Sequence, residues 1–267
     1  MTAATEQTVE SALAGAVLCR TLKLGLRRPS PELIEIIDHA DARGALRVAA
    51  GFLDGRGGGP VLRALSKLLA LGTPVLPDLL QEYGALFGHS LHGKVCPYET
   101  EYGASAMLQQ AHQLADLQGF YAAFGLQVAA PARERADHVA CQMEFLEVLC
   151  LKEAWALEQG DAEMAEVTGR AARRFLADHL ARFGRAFARS LAQAAEQAFY
   201  ASLGELCDAV LENVSHARGV PVGPATLELR AWDPDDAPMA CGSPESAAAE
   251  SDLVPLGSRE GAQEGAG

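Results

Sequence analysis

Apolar residues recur at intervals of three and four along most of the chain up to about residue 215, which is the spacing of helices that bury one face. The longest such stretch follows His138 and carries an apolar stripe formed by Val139, Met143, Leu146, Cys150, Ala154 and Leu157. No alternating, β-branched strands separate these stretches, so a parallel α/β sheet is not expected. The pattern predicts an all-α protein, a single helical domain of about ten helices.

Glycine and proline mark the expected helix ends. Pro31 suits the first turn of a second helix, which we expect to extend to Leu53 before a glycine-rich loop. Helical spacing returns near Pro77, between residues 104 and 124, and between residues 138 and 159. From residue 162 to about 214 the pattern stays helical, with breaks expected near Gly184 and Gly204.

The C-terminal part of the sequence has a different composition. From Gly219 onward, prolines, glycines, serines and acids leave few apolar residues for a core, so we expect a largely disordered acidic tail over 219–267 and a folded body over 1–218. The formal net charge is −13; residues 215–267 hold nine acids and three arginines, a net of −6, which leaves −7 on the rest.

This acidity limits the classes of partner. Nucleic acids require a basic surface, so we expect no nucleic-acid binding, whereas a basic peptide would be attracted. The alternative is that the acidity only keeps the protein soluble, and the charge alone favours that alternative. The six cysteines show no C-x-x-C pair, which favours a reducing compartment. Without a basic and apolar N-terminal signal or a long apolar run, we expect a cytoplasmic protein with no direct membrane insertion.

Two short segments carry candidate binding chemistry. Asp137 and His138 begin the long helix, where Asp137 is expected to be the N-cap and could bind a guanidinium group, with His138 as a titratable neighbour. The alternative is an ordinary cap beside a histidine that satisfies a loop carbonyl. The second segment is a loop that combines acids and phenols suited to arginine, or alternatively a tyrosine-anchored connection with solvated glutamates; it contains Tyr98, Glu99, Glu101 and Tyr102.

Other motifs are weak. His89, His92 and Cys96 are metal-ligand types, but a fourth ligand is missing. The glycine-rich segment 55–59 lacks the Lys-Ser/Thr that follows in a phosphate-binding loop. No nucleophile motif is present. We therefore predict no metal site, no cofactor and no catalytic residue.

Segments that flank Asp137 and His138 carry a resemblance to a known family. The segments are Arg133–Leu146, Cys96–Gly103, Leu114–Gly125, Leu151–Ala154 and Phe175–Leu180. Together they resemble the TorD/DmsD/NarJ family, chaperones that mature molybdoenzymes of the DMSO-reductase superfamily, and are most similar to the branch serving type II enzymes. The similarity extends over about residues 80–215. In this chain Arg135 and Ala136 replace prolines found in many members, and Gln142 replaces a glutamate.

The resemblance implies a TorD-like helical fold and a non-enzymatic chaperone. It implies that Asp137 and His138 lie beside a groove for the twin-arginine leader of a molybdoenzyme catalytic subunit, whose export is delayed until the molybdenum cofactor is inserted. Implied partners are that subunit, its leader and, as further candidates, molybdenum-cofactor biosynthesis proteins. Two alternatives stay open. One is a NarJ-like assembly factor for a nitrate reductase with a vestigial leader, and the other is a helical metal-dependent hydrolase using His89, His92 and His112.

Overall fold

The computed structural model describes residues 8–55, 57–88, 93–103, 107–129, 134–230 and 253–255, without the side chains of 107–109. Within these ranges the chain forms ten α-helices: α1 (Val9–Leu26), α2 (Pro31–Asp38), α3 (Ala40–Leu53), α4 (Pro60–Ala70), α5 (Leu76–Phe87), α6 (Met107–Ala123), α7 (Val139–Glu158), α8 (Ala162–Phe175), α9 (Ala181–Ala194) and α10 (Ala198–Ala217). A 3₁₀ turn spans Glu99–Glu101, a π-helical turn joins α8 to α9 over Leu176–Leu180, and β1 (Leu126–Val128) pairs with β2 (Leu253–Pro255). The predicted all-α single domain is confirmed.

Helix α7 lies at the centre of the fold. Its apolar stripe is buried as far as Ala154, as the spacing predicts, whereas Leu157 at its end is only partly buried. Phe145 and Leu149 on other faces are buried too. Helix α1 packs along one side of α7 and α8 along another, whereas α9 and α10 form a pair that contacts α4. Trp155, near the end of α7, is 59% exposed, so the helix is surrounded by protein mainly over its first three turns.

The expected helix between Pro31 and Leu53 is divided in two at His39. The backbone of His39 is extended, with φ −66° and ψ 129°, and it caps both α2 and α3. Arg43 compensates for the break, because its guanidinium donates to the carbonyl of Ile37 at 3.2 Å and to that of Leu69 at 2.8 Å. A side chain therefore satisfies a helix-end carbonyl that an unbroken helix would have used.

The breaks expected at Gly184 and Gly204 are wrong, because both glycines lie inside helices. A Cβ on Gly184 would come within 2.6 Å of Leu211 Cδ1, and a Cβ on Gly204 within 2.6 Å of the carbonyl oxygen of Ala188. The glycines let α9 and α10 approach closely. The chain turns instead at residues 195–197, between α9 and α10.

The folded body extends past the boundary expected at residue 218. Val220 is buried, and Val222 and Leu227 pack against the core. The amide of Gly223 donates to the carbonyl of Ala181 at 2.8 Å. Residues 231–252 and 256–267, on which most of the tail prediction falls, lie outside the described residues. Among the helices that the structure describes, none combines the length and apolar character needed to span a membrane.

Candidate functional site

Two loops meet at the beginning of α7 and bring all six sequence-predicted binding residues together. Tyr98 and His138 form an antiparallel backbone bridge. The amide of Glu99 donates to the carbonyl of Asp137 at 3.1 Å, and the amide of Val139 donates to that of Pro97 at 2.8 Å. We use the name acidic cluster for the carboxylates gathered here: Glu99, Glu101, Asp116, Glu134 and Asp137.

Asp137 is not the N-cap of α7, contrary to the sequence prediction. Its side chain is 0% exposed and points toward the neighbouring loop. It accepts hydrogen bonds from the amide and hydroxyl of Thr100, at 3.2 and 2.8 Å, and from Nε and Nη2 of Arg135, at 3.0 and 2.9 Å. Four donors satisfy the buried carboxylate, so Asp137 holds the two loops together.

His138 is the residue that caps α7. Its Nδ1 accepts a hydrogen bond from the amide of Ala140 at 3.1 Å, so Nδ1 carries no proton. Its Nε2 lies 4.0 Å from Oε2 of Glu134, and its ring meets the ring of Tyr98 edge-on, with centroids 5.3 Å apart. Imidazole capping is less common than capping by Asp or Ser, which explains why the sequence pattern indicated the neighbouring residue.

Arg135 also belongs to the site, although the sequence pattern indicates it only as a replacement for proline. Its Nη1 donates to Oε1 of Glu101 at 3.1 Å and its Nη2 to Oγ1 of Thr100 at 2.6 Å, in addition to both contacts with Asp137. Its guanidinium carbon lies 4.6 Å from the centre of the Tyr98 ring. Burial alone would lower the pKa of Arg135, but the charges and hydrogen bonds of Asp137 and Glu101 raise it. The side chain is 24% exposed.

A buried histidine links the acidic cluster to the π-helical turn. Nδ1 of His179 lies 3.1 Å from Oε1 of Glu99, and Nε2 lies 3.1 Å from Oδ2 of Asp116. Burial would lower the pKa of His179, but the hydrogen bonds and charges of Glu99 and Asp116 raise it above its usual value of 6.5. Gln142 donates from Nε2 to the other oxygen of Glu99 at 2.8 Å. A glutamate at position 142 would instead repel Glu99.

Tyr102 anchors the loop that contains Tyr98 and Glu99. Its hydroxyl donates to the carbonyl of Cys96 at 2.7 Å, and its ring packs at 5.4 Å from that of Phe183. Burial raises the pKa of Tyr102, so the phenol stays protonated. Of the two readings of this loop, the tyrosine-anchored connection fits Tyr102, whereas the predicted solvated glutamates are wrong for Glu99, which is buried.

Two carboxylates of the acidic cluster hold guanidinium groups. Asp137 and Glu101 contact Arg135, and Oε2 of Glu101 lies 3.7 Å from Nε of Arg230. The other three carboxylates face imidazoles: Glu99 and Asp116 face His179, and Glu134 faces His138. Carboxylates that accept several charge-assisted bonds around a planar cation form one of the stronger polar contacts in proteins.

The histidines weighed as metal ligands do not extend this chemistry. His112 is exposed on α6, and His89 and His92 lie outside the described residues. Across the described ranges, no three His, Cys, Asp or Glu side chains are grouped so that they could hold a metal ion.

Comparisons with known proteins agree on one family. The family model described as "Nitrate reductase delta subunit" matches residues 58–189, from before α4 into α9. The "Selenate reductase assembly chaperone protein" of Thauera selenatis is 40% identical over 99 residues, which is 36% of this chain and 50% of that protein. The chain thus matches about half the length of this curated relative.

Proposed function

Because the chain belongs to the TorD/NarJ family of chaperones, we propose that it is a non-enzymatic, cytoplasmic maturation chaperone for the catalytic subunit of a DMSO-reductase-family molybdoenzyme. In this proposal it binds the twin-arginine leader of that subunit and its apo form, delays export, and assists insertion of the molybdenum cofactor. Molybdenum-cofactor biosynthesis proteins are its further candidate partners.

The observation that carries the proposal is the guanidinium of Arg135 in the acidic cluster. A carboxylate pair, a hydroxyl and a phenol ring surround it, through Asp137, Glu101, Thr100 and Tyr98. Arg135 is bound by the same kinds of group that an arginine of the leader requires: carboxylates, a hydroxyl and an aromatic ring. The side chains of Arg135 and Glu101 are 24% and 14% exposed, so Glu101 is the carboxylate of this pair that a second guanidinium can approach.

The six predicted binding residues divide into two roles in this proposal. Asp137, His138 and Glu99 are buried, and the hydroxyl of Tyr102 donates a hydrogen bond to the carbonyl of Cys96. These four residues therefore shape and position the site. Tyr98 and Glu101 are partly exposed and act as direct contacts.

Two acids that the sequence did not single out join these direct contacts in the proposal. The side chains of Glu134 and Asp116 are 30% and 55% exposed. An arginine of the leader therefore meets the exposed acids first and reaches Asp137 only if Arg135 moves.

Calorimetric titration with a synthetic leader tests the proposal. The native leader should bind, and the same peptide with both arginines changed to glutamine should bind weakly or not at all. Affinity should fall only partly at about 1 M salt, where the Debye length is ~3 Å and charge attraction is screened, because the apolar part of the leader still contributes. If the native leader produces no heat, leader recognition is ruled out. Equal binding of both peptides would leave only generic apolar capture.

A second candidate is favoured by the description of the matching family, which names a nitrate reductase subunit. In that case the client is a nitrate reductase whose leader lacks the arginine pair. The same titration separates the two, because a NarJ-like factor should bind a client N-terminal peptide without arginines as well as, or better than, the twin-arginine peptide.

A further inference from the structure

The residues that follow α10 return to the acidic cluster. The amide of Gly103 donates to the carbonyl of Glu228 at 2.8 Å, and the amide of Arg230 donates to that of Glu101 at 2.8 Å. Leu229 forms an antiparallel bridge with Tyr102 between these bonds. The segment thus lies as an extended strand along Glu101–Gly103.

This segment also brings a cation to the acidic cluster. Nε of Arg230 is 3.7 Å from Oε2 of Glu101, and its side chain is 23% exposed. The side chain of Arg230 therefore contacts the same carboxylate as Arg135 does, whereas its backbone amide bonds to the main-chain carbonyl of Glu101.

A second C-terminal piece pairs with the only other strand in the described residues. Leu253, Val254 and Pro255 pair antiparallel with β1, in the register Leu253 to Val128. The side chain of Leu253 is 5% exposed and belongs to the core. Its amide donates to Oε2 of Glu144 on α7 at 3.0 Å, and Glu144 also contacts Lys23 of α1 at 3.4 Å.

Both contacts have the geometry by which proteins bind extended peptides. In each, main-chain hydrogen bonds join an extended segment to a short edge, and one side chain fills a site beside it. A strand pair of three residues is marginal by itself, so β2 is held mainly by the burial of Leu253 and by its hydrogen bond to Glu144. The two pieces present an arginine at the acidic cluster and an apolar strand beside α7, which are the two chemical features of a leader peptide.

We propose that the two described C-terminal pieces, residues 228–230 and 253–255, together form a pseudo-ligand segment that occupies the client-binding surface in cis, with Arg230 at Glu101 and Leu253 beside β1. This proposal rests on the leader-binding function. An extended client peptide, with arginine ahead of an apolar stretch, displaces the segment when it binds. The apparent affinity for the client is then reduced in proportion to the fraction of molecules in which the surface is covered.

Substitutions in the full-length chain test this proposal. Leu253→Asp places a charge where the buried leucine lies, next to Glu144, and should release β2. Arg230→Gln removes the competing cation with a smaller risk to folding. Pro255→Asp is the matched control, because it adds the same charge at an exposed position of the same strand. Circular dichroism checks that each variant keeps its helices.

Calorimetry with the twin-arginine leader gives the first readout. Leu253→Asp and Arg230→Gln should each bind the leader more tightly than the unchanged chain, Leu253→Asp by about tenfold, and Pro255→Asp should bind like the unchanged chain. Hydrogen exchange gives the second readout. In the unchanged chain, saturating leader should speed exchange at the amides of Arg230 and Leu253, which lose their acceptors when the segment leaves.

The outcomes separate the two proposals. If the leader binds the unchanged chain and both variants equally, and the two amides stay protected, the pseudo-ligand proposal is overturned while leader recognition stands. Weaker binding by the variants also overturns it, since the segment would then be part of the binding surface. If the leader binds no form of the chain, the proposed function fails and the pseudo-ligand proposal fails with it.

Discussion

Arg135 and Asp137 form a two-point ion pair at the beginning of α7, with Nε and Nη2 of the guanidinium donating to the two carboxylate oxygens at 3.0 and 2.9 Å. The residues are separated by one position, and the carboxylate is completely buried. A buried ion pair of this geometry adds little to the free energy of unfolding compared with an apolar pair. Loss of one partner, however, leaves the other as a buried charge without compensation. The pair therefore controls the shape of the loop that carries the candidate site.

Replacing Arg135 should destabilise the protein strongly. Arg135→Gln leaves Asp137 buried with only Thr100 as donor, so the free energy of unfolding should fall by about 3–5 kcal/mol. Urea denaturation followed by circular dichroism measures this. Arg174→Gln is the matched control, because Arg174 pairs with Asp178 in an exposed ion pair, and its loss should cost less than about 1 kcal/mol. Equal losses for the two variants would show that Asp137 does not depend on Arg135.

Changing Gln142 to glutamate, the residue that the family resemblance leads us to expect there, should also destabilise this chain. Nε2 of Gln142 donates to buried Glu99, and Gln142→Glu replaces that donor with a like charge, at a cost of about 1–3 kcal/mol. The loss should shrink in acid, as protonation of one carboxyl group removes the repulsion. Gln81→Glu, at an exposed position of α5, is the control and should change stability by less than about 0.5 kcal/mol. An unchanged unfolding midpoint for Gln142→Glu would show that Glu99 tolerates an acidic neighbour.

The contribution of His179 should depend on pH in one direction. Its folded-state pKa is raised above the unfolded value, so the protonated form is favoured in the fold by Glu99 and Asp116. The stability that this provides is fully present below the unfolded pKa of about 6.5 and is lost as pH rises through the raised folded value. Relative to His179→Gln, the unchanged chain should therefore have its largest advantage near pH 5 to 6 and a smaller one above neutral pH.

Urea midpoints measured across this pH range for both proteins provide the test. His216→Gln, at an exposed position near the end of α10, should show a nearly constant difference from the unchanged chain. If the stability advantage of the unchanged chain over His179→Gln grew with pH, the fold would favour the neutral imidazole instead.

The residues after α10 should be needed for full stability, although their composition predicts a dispensable tail. A chain that ends at Arg218 lacks Val220, Val222 and Leu227, which pack on the core, whereas a chain that ends at Arg230 keeps them. Burial of one such side chain is worth about 1.5–3 kcal/mol, so the shorter chain should melt about 4 °C or more below the longer one. Equal melting temperatures for the two chains would show that the folded body ends at residue 218.

Helical spacing predicted the fold well because most of its helices bury one face. Four residues of the α7 stripe lie in the core as expected: Val139, Met143, Leu146 and Cys150. The wrong helix breaks were predicted at glycines, a residue type that can serve two structural purposes. The sequence pattern predicts helix breaks at Gly184 and Gly204, but both glycines permit close helix packing instead. Which use applies depends on a neighbouring helix that the local sequence does not show.

The candidate site was located from sequence, but its internal bonding was not. The resemblance singles out Asp137 and the loop at Tyr98, and the structure joins these two segments. It gave no sign that Arg135 fills the space between them, because a replaced proline does not indicate where an arginine side chain will point. His179, 80 positions from Glu99 in sequence, entered only through the fold. Long-range partners of buried carboxylates cannot be inferred from local spacing.

The most direct test of the account is a double-mutant cycle between Glu101 of this chain and the arginines of the leader. Calorimetry would compare the unchanged chain and Glu101→Gln, each with the native leader and with the leader in which both arginines are glutamine. Glu205→Gln, on α10 and paired with Lys67 of α4, serves as the control. The account predicts a coupling free energy of about 1.5 kcal/mol or more for Glu101 and less than about 0.5 kcal/mol for Glu205. A coupling for Glu101 as small as that for Glu205 would contradict the central claim that the acidic cluster receives the arginines of the leader.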